Sequence, residues 1–428
     1  MSSQPETEDK PSGPPAGKLL QSGIIFTAIS FVTCLGNLAF QGVLGRNLKA
    51  SGDYGDANSA LGGLMTLLGL LPAVATFAVT HYIAHFNASG DAARLQGLLL
   101  GCRKFLLRLT IAGSVLAVLL VKPLSSFFHY PQSLMLVTLC CALLGLWVAL
   151  ATALCQGLAW FKRLALIGFL AMALRILFGS VVTLKWPSAE TAVMATGFSL
   201  LAYLVLIFWK KDLSLHGEPV SPWSQEFGRY FGVSAAFVIG GYCFTQGDYL
   251  VAKKFFTKGD LDAYVAAGVL ARALPMTVAP LLTVLFTSRS SRHGGGIASE
   301  QIKLMALSTL GLVSGAICLF ALRTFCLKVI GKYTPEAADM IGRFAITMVF
   351  VGLLQSLAFW ALGSRWSKIS LLYGGLGISY WLALLFLGKS PAAMLQTMLV
   401  AAGLSFGALF LFWFITMRSL KTGEPAQS

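Results

Sequence analysis

Long apolar stretches separated by short polar breaks run along nearly the whole chain. Each stretch is about the length that an α-helix needs to cross a bilayer. The widest break, residues 210–226, falls at the midpoint of the chain and contains Pro219 and Pro222. The pattern predicts an all-α integral membrane protein of about twelve spans with a linker at its centre. The predicted spans are residues 20–44, 60–85, 101–125, 133–157, 163–185, 190–209, 229–252, 262–287, 304–326, 336–361, 367–387 and 392–416.

The two halves of the chain share a sparse internal repeat. Gly52-Asp53 recurs as Gly259-Asp260, Pro72 is matched by Pro280, and a Gly-x-x-Trp-x-Lys motif at residues 157–162 recurs at 363–368. Because six spans are an even number, both halves enter the membrane in the same orientation. We therefore expect two six-helix lobes, related by a pseudo-twofold axis along the membrane normal, around a central cavity.

This division assigns every part of the chain to a lobe, a tail or a linker. The N-terminal lobe covers residues 18–211 and the C-terminal lobe covers residues 228–420, joined by a cytoplasmic linker at 212–227. The polar, acidic residues 1–17 are expected to form a disordered cytoplasmic tail, and residues 421–428 a second cytoplasmic tail.

Composition agrees with a membrane protein and argues against a nucleic-acid partner. Hydrophobic residues make up 56% of the chain and charged residues 11%, whereas a soluble domain carries about a quarter charged residues. The net charge of +15 is spread over short loops. The predicted inner segments hold 18 of the 32 Lys and Arg residues and the outer segments 11. This bias predicts that both termini are cytoplasmic.

Three arginines lie within predicted spans and are the candidates for binding an anion. Arg175 is near the middle of the fifth span, Arg272 lies in the eighth and Arg343 in the tenth. A charge in hydrocarbon is costly, so such residues are expected to face protein or a water-filled cavity. An arginine fork suits phosphate. The alternatives are structural arginines bonded to carbonyls or carboxylates and, for Arg343, an ion pair with Asp339 four residues earlier.

Asp248 and a basic cluster on the third span have two interpretations each. Asp248 lies well inside a span. It either binds a coupling cation or proton, or neutralises Arg272 or Arg175. Arg103, Lys104 and Arg108 open the third span near its cytoplasmic end. They either attract an anionic lipid headgroup into the cavity or anchor the span at the interface.

Prolines inside spans are candidate hinges. Pro72 lies in the second span, and Pro275 and Pro280 lie in the eighth. Each removes a helix hydrogen bond and permits a bend. The alternative is a static kink that neighbouring helices stabilise.

The sequence does not suggest enzymatic chemistry. We find no paired carboxylates and no nucleophile–base arrangement in a large loop, so we expect the chain not to be an enzyme. His81 and His85 lack an evident third ligand, and we expect neither a metal nor a cofactor.

Three groups of motifs are spread along the chain. They are Gly45-Arg46-Asn47-Leu48 with Gly52-Asp53-Tyr54-Gly55, Gln156-Gly157 with Trp160-Phe161-Lys162 and Arg175, and Asp248-Tyr249-Leu250-Val251 with Ala263-Tyr264 and Leu270-Ala271-Arg272. In their order and spacing these motifs resemble polysaccharide flippases of the multidrug/oligosaccharidyl-lipid/polysaccharide superfamily. The resemblance covers roughly residues 18–420, although Lys49-Ala50 replaces a frequent Gly-Pro.

The resemblance implies a function and a location. It implies that the chain flips an oligosaccharide on a polyprenyl pyrophosphate from the inner to the outer leaflet of a bacterial inner membrane by alternating access. Membrane lipids and a polysaccharide polymerase or glycosyltransferases are the expected partners. Two alternatives stay open: a drug/cation antiporter of the same superfamily, which favours acidic cavity residues, and a noncatalytic scaffold of a polysaccharide assembly complex.

Overall fold

The computed structural model describes residues 16–48, 53–208, 225–290, 299–363 and 367–421, and within these ranges it contains helices and no strand. Residues 1–15 of the predicted N-terminal tail, 212–224 of the predicted linker and 422–428 of the C-terminal tail lie outside them. The helices are α1 (Ala16–Asn47), α2 (Tyr54–Asn58), α3 (Met65–Leu68), α4 (Leu70–Ser89), α5 (Ala92–Phe128), α6 (Gln132–Gly157), α7 (Phe161–Lys185), α8 (Ala189–Phe208), α9 (Gln225–Thr245), α10 (Gly247–Phe255), α11 (Lys258–Ser290), α12 (Ser299–Ala321), α13 (Arg323–Val329), α14 (Pro335–Gly363), α15 (Ser367–Leu387) and α16 (Pro391–Lys421), with a π-helix at Ser59–Leu64 between α2 and α3.

Most predicted spans correspond to one long helix. In the described part of the chain, nine helices are long and apolar enough to cross a membrane, and two bent pairs raise the number to eleven. The remaining predicted span, residues 229–252, is divided between α9 and α10 at Gln246. Asp248, Lys253 and Lys254 make α10 the more polar part of this span.

Two spans bend sharply. The segment Tyr54–Leu68 meets α4 at 53°, and α12 meets α13 at 78° around Leu322. The first bend centres on Gly69, three residues before Pro72, whose ring crowds the carbonyl of Leu68 and whose nitrogen donates no hydrogen bond. The helix α11, by contrast, continues through Pro275 and Pro280.

The helices form two lobes that meet along two equivalent seams. Helices α1–α8 pack mainly on one another, as do α9–α16, and the main seams between the lobes are α1 against α11 and α4 against α9. Under the repeat, the first span corresponds to the seventh and the second to the eighth. A twofold rotation that exchanges the lobes therefore places the α1–α11 seam on the α9–α4 seam, as a twofold relation between the lobes requires.

One contact lies close to the axis that relates the lobes. The backbone N–H of Gly55 donates to Oδ1 of Asp262 at 2.8 Å, and these residues are 207 positions apart. That separation is the offset of the repeat itself. Equivalent positions can touch one another only near a twofold axis.

The burial pattern is that of a bundle immersed in lipid. Large apolar side chains on α5, α7 and α16 are exposed, among them Val118, Leu184 and Leu404 at 71–75%. The helices α11 and α14 are the most buried of the candidate spans. The centre of the C-terminal lobe and its seam with α1 are therefore shielded from lipid, and this is where the intramembrane charges lie.

Candidate functional site

A cavity of about 250 Å³ lies between the lobes near the middle of the bundle. It is bounded by α1, the π-helix region and α7 on one side, and by the α9–α10 break and α11 on the other. Arg175 and Arg272, both predicted from sequence, line it together. The lining residues are Cys34, Asn37, Leu38, Gln41, Asn58, Leu61, Gly62, Thr66 and Arg175 of the N-terminal lobe, and Gln246, Tyr249, Val269, Arg272, Ala273 and Met276 of the C-terminal lobe.

Arg272 is the centre of a buried charge network in the C-terminal lobe. Its Nε donates to the carbonyl of Thr245 at 2.6 Å, where α9 ends and the backbone N–H of Tyr249, four residues further on, donates to Gln246 instead. Its Nη2 forms an ion pair with Oδ2 of Asp248. Tyr264 donates to the same oxygen at 2.5 Å. Arg272 is 3% exposed and Asp248 1%, so each charge has its counter-ion within the fold.

The broken span explains why an arginine and an aspartate are stable here. A helix that ends in the membrane leaves carbonyls without partners, and Arg272 satisfies that of Thr245. Asp248 lies in the first turn of α10, where the helix dipole favours a negative charge. Gly268 leaves room for the guanidinium, because a Cβ there would lie 2.2 Å from Nη1 of Arg272. Asp248 is thus positioned as the partner of Arg272.

Arg175 differs from Arg272 because it has no acidic partner. Its Nη1 donates to Oδ1 of Asn37 at 3.3 Å, and its guanidinium lies 4.2 Å from the centre of the Phe40 ring. Its Nε is buried without a hydrogen-bond partner, as are Oε1 of Gln41 and Oε1 of Gln246. Buried polar groups normally find partners. These three atoms belong to residues of the same cavity and are available to a polar ligand.

The lobes approach closely beside the cavity at two glycines of the π-helix. A Cβ at Gly62 would lie 2.5 Å from the Tyr249 ring, and one at Gly63 would lie 3.0 Å from Leu250. The hydroxyl of Tyr242 donates to the carbonyl of Gly63 at 3.2 Å. Short π-helical segments are frequent at functional sites, and this one faces the broken span of the other lobe.

We call the end of the molecule formed by residues 45–48, 53–59, 253–262 and 329–332 the Asp53 end; it is the predicted outer end. Ion pairs join the lobes there. Lys253 pairs with Asp56 at 2.5 Å and Lys258 with Asp53 at 3.3 Å. Asp262 accepts from Gly55 at 2.8 Å. The side chains of Lys253 and Asp56 are 14% and 16% exposed, whereas that of Lys258 is 59% exposed. The pair Lys253–Asp56 is therefore the stronger of the two.

Tyr130, between α5 and α6, supports this pair from the N-terminal lobe. Its hydroxyl donates to Oγ of Ser59 at 2.9 Å, and Nζ of Lys253 lies 5.3 Å from the centre of its ring. Burial raises the pKa of Tyr130, so the hydroxyl stays protonated and donates. The ring and Asp56 together hold the ammonium of Lys253 against the other lobe.

The end of α1 packs on the C-terminal lobe without room for side chains. A Cβ at Gly45 would lie 1.9 Å from the carbonyl oxygen of Ile330, and one at Gly42 would lie 3.3 Å from that of Val329. Arg46 donates to the carbonyl of Val329 at 3.3 Å. These contacts and the ion pairs close the Asp53 end in this structure.

We expect Gly45→Val to open the Asp53 end, because the added side chain overlaps the Ile330 carbonyl. Overpacking costs about 1–3 kcal/mol, which corresponds to roughly a 5–150-fold shift toward the open state. Ser59, fully buried at the same end, serves as reporter when replaced by Cys in a background with the exposed Cys140 and Cys318 replaced by Ser. A membrane-impermeant maleimide should label Ser59→Cys at least about fivefold faster in the Gly45→Val protein.

The control is Gly168→Val on α7, since a Cβ at Gly168 meets no neighbour within 4 Å. It should leave the labelling rate unchanged. Equal labelling rates in the Gly45→Val and Gly168→Val proteins would show that Gly45 does not govern closure.

An aromatic cluster joins the lobes toward the opposite end. The Phe77 ring on α4 makes edge contacts with Phe237, Phe286 and Phe359 at centroid distances of 5.1–5.7 Å. The cavity therefore lies between cross-lobe contacts on both sides along the bundle axis.

The other predicted residues lie away from this cavity. Arg343 is in a separate pocket of about 660 Å³ within the C-terminal lobe, together with Asp260, Glu336 and Asp339. Arg343 and Asp339 are both described, and the structure shows no ion pair between them. Arg103, Lys104 and Arg108 are exposed on α5 and do not line the cavity. Only Arg175 and Arg272 of the three predicted arginines share one site.

Comparison with known proteins identifies the fold. No model of a protein family and no curated protein matches the sequence. An outward-facing multidrug resistance transporter of the MATE family, in the MOP superfamily, matches 96% of this chain and 100% of its own with a TM-score of 0.71 at 12% identity. A MATE transporter from Vibrio cholerae matches 94% of this chain and 98% of its own with a TM-score of 0.62 at 13% identity.

A third structure is known for the polarity of its own binding pocket. A MOP superfamily transporter from Pyrococcus furiosus, described as having a binding pocket of reverse polarity, matches 96% of this chain and 100% of its own. The TM-score is 0.68 at 13% identity. The chain thus has the two-lobe, twelve-helix fold of these transporters. At such identities the likeness shows the fold alone.

Proposed function

We propose that the chain is an alternating-access membrane transporter whose central cavity binds the anionic part of an amphipathic substrate. The observation that carries this proposal is the charge of the cavity. Arg175 has no acidic partner, and no Asp or Glu is among the described residues that line the cavity. The fold supports transport, because proteins of this fold include multidrug resistance transporters.

A pyrophosphate linked to a polyprenyl chain is the substrate class that best fits these features. An arginine fork donates two hydrogen bonds at once to a phosphate and stays charged. The amide nitrogens of Gln41, Gln246 and Asn37 can donate beside it, whereas the unpartnered Oε1 atoms of the two glutamines only accept. The lobes must part before an oligosaccharide headgroup can enter a cavity of about 250 Å³. We accordingly propose a flippase for lipid-linked oligosaccharides in a bacterial inner membrane, with both termini cytoplasmic and polysaccharide polymerase or glycosyltransferases as partners.

The second candidate is a drug/cation antiporter, and the structural comparisons favour it, since MATE multidrug transporters are among the matches. The cavity argues in the other direction. A cation site in the membrane needs an available carboxylate, and Asp248 is 1% exposed and bonded to Arg272 and Tyr264. A noncatalytic scaffold, the third candidate, has no need of Arg175 in a cavity.

Binding of a simple prenyl pyrophosphate tests the proposal. We expect the purified protein to bind geranylgeranyl pyrophosphate at least about tenfold more tightly than uncharged geranylgeraniol, because a charged hydrogen bond contributes ~1.5–3 kcal/mol. Arg175→Gln should remove this difference, and Arg175→Lys should keep part of it. Microscale thermophoresis or tryptophan fluorescence gives the two dissociation constants.

Arg94→Gln is the matched control, because the side chain of Arg94 is 71% exposed and lies outside the cavity. It should bind both probes as the unmodified protein does. If the protein binds and transports ethidium in proteoliposomes and shows no preference for the pyrophosphate, it is a drug/cation antiporter. If it transports neither class of probe, it is a noncatalytic scaffold.

A further inference from the structure

A second, apolar pocket of about 170 Å³ lies at the other seam between the lobes. Helices α4, α5 and α6 of the N-terminal lobe form most of it, and Phe227 and Phe231 at the start of α9 complete it. It includes Pro72, beside the bend of the second span. The lining residues are Leu71, Pro72, Ala75, Thr76, Val79, Cys102, Phe105, Leu106, Leu109, Leu146, Ala149, Leu150, Ala153, Phe227 and Phe231.

The chemistry of this pocket selects a hydrocarbon. Thr76 carries its one hydroxyl, which donates to the carbonyl of Pro72 at 2.9 Å and lies 3.3 Å from that of Ala149. The hydroxyl is therefore already bonded within the N-terminal lobe. With aliphatic and aromatic side chains on the other faces, the pocket offers a ligand dispersion contacts and burial from water.

The pocket opens toward the bilayer past α5. Phe105 lines it and is nevertheless 41% exposed. The remaining surface of α5 carries exposed apolar side chains such as Leu107 and Ile111, at 53% and 61%, which is the pattern of a lipid-facing helix. A hydrocarbon chain can therefore enter from the surrounding lipid.

Arg108 lies beside the opening of the pocket. Cys102, Phe105, Leu106 and Leu109 form one stripe of α5 that faces the pocket. At 3.6 residues per turn, Arg108 lies about 60° beyond Phe105, on the side where the pocket opens, and Arg103 lies about 110° from the stripe on the other side. Both arginines are exposed. Basic residues at the cytoplasmic interface attract anionic lipids with about 1 kcal/mol each, and α5 reaches that predicted interface here.

We propose that part of one acyl chain of an anionic glycerophospholipid from the surrounding bilayer occupies this pocket, with its headgroup at Arg108. The occupant packs against residues of both lobes, because α4 and α9 form the seam. It therefore contributes to the contact between the lobes, independently of any substrate in the central cavity. This inference goes beyond the proposed transport function and does not depend on it.

Lipid binding by the purified full-length protein tests this inference. Native mass spectrometry and thermal unfolding in detergent would be followed as dioleoyl-phosphatidylglycerol or dioleoyl-phosphatidylcholine is added. We expect phosphatidylglycerol to bind at least fivefold more tightly than phosphatidylcholine. Ala149→Leu, which fills the pocket, should weaken phosphatidylglycerol binding at least fivefold. Arg108→Gln should make the two lipids bind equally, and Arg103→Gln should leave their difference unchanged.

Ala112→Leu is the matched control, since it makes the same change on the exposed face of α5 and outside the pocket. It should bind both lipids as the unmodified protein does. Equal affinity for the two lipids in the unmodified protein would overturn the inference, as would unchanged binding by a folded Ala149→Leu protein. The inference would also be overturned if Ala149→Leu abolished binding of undecaprenyl phosphate and left binding of phosphatidylglycerol unchanged. That result would assign the pocket to the substrate's own chain. None of these measurements involves transport, so the inference and the proposed function can fail separately.

Discussion

Replacing Asp248 by Ala is expected to destabilise the protein by about 3–5 kcal/mol, the cost of leaving a buried charge without its partner. Arg272 is 3% exposed and bonded to Asp248, Thr245 and the Tyr249 ring face, 3.9 Å away. Without the carboxylate, the guanidinium retains only neutral partners. Asp248→Asn keeps the shape of the side chain and removes the charge, so we expect a smaller but still large loss.

Thermal inactivation in detergent measures this effect, with both variants and the unmodified protein heated at one rate because unfolding of such proteins is often irreversible. The control is Asp91→Ala. Asp91 forms an exposed pair with Arg94, whose side chain is 71% exposed, and it caps α5 by accepting from the backbone N–H of Arg94 at 3.0 Å. Loss of an exposed pair and of one helix cap costs about 1–2 kcal/mol. Similar inactivation temperatures for Asp248→Ala and Asp91→Ala would contradict the buried network.

A second variant separates a structural role of Asp248 from a role in ion coupling. Asp248→Leu combined with Arg272→Met removes both charges and fills the space with apolar groups, which often restores stability. If stability returns, the pair acts in the fold. Transport by this double variant with its dependence on pH or sodium unchanged would exclude Asp248 as the coupling site.

Much of the fold was predictable because the bilayer imposes a length on each apolar stretch. Nine of the twelve predicted spans coincide with a single long helix and the other three are divided between helices, and the repeat correctly indicated two lobes. The break at Gln246 and the turn at Leu322 were not predicted, because both lie within stretches that read as continuous apolar spans. The structure shows a bend beside Pro72, and whether Pro72 acts as a hinge stays a prediction. The helix α11 runs through Pro275 and Pro280, because proline permits a bend and does not impose a break.

The candidate site was predictable in its charges and not in its pairings. Arg175 and Arg272 were identified because a charge inside a membrane span is costly, so that such a residue is expected to have a structural or functional role. That Asp248 pairs with Arg272 and not with Arg175 depends on the three-dimensional packing of α10 against α11. Packing also decides the position of Arg343. Because Arg343 lies in a span, the sequence grouped it with the other two arginines, whereas in the structure it lines a separate pocket.

The closure of the Asp53 end was missed, although the sequence contained a signal for it. The outer breaks after the first and seventh spans carry basic residues, which weakens the charge bias across the membrane. The structure shows Lys253 and Lys258 from one of these breaks paired with Asp56 and Asp53 from the other. Basic residues on the outer side of a transporter can thus be contacts between lobes, and their acidic partners lie one repeat away.

Cross-linking the Asp53 end is expected to abolish transport completely and reversibly. A Cβ added at Gly55 would lie 2.7 Å from Oδ1 of Asp262. That oxygen is two bonds from the Cβ of Asp262, which puts the two Cβ atoms near the ~3.5–4.5 Å that a disulfide needs. The protein with Gly55→Cys and Asp262→Cys should therefore form a disulfide between the lobes on oxidation. An alternating-access transporter that cannot open one end cannot complete its cycle.

The experiment is made in a background with Cys140→Ser and Cys318→Ser, because these two native thiols are exposed and would cross-link separate molecules. Peptide mass spectrometry confirms the bond, and transport in proteoliposomes of whichever probe the protein binds is measured before and after reduction. Each single cysteine variant should be insensitive to oxidation, which separates locking from the loss of the Asp262 contacts. Failure of the disulfide to form would contradict the placement of the lobes. Full activity of the cross-linked protein would contradict alternating access itself, since substrate would then pass without the Asp53 end opening.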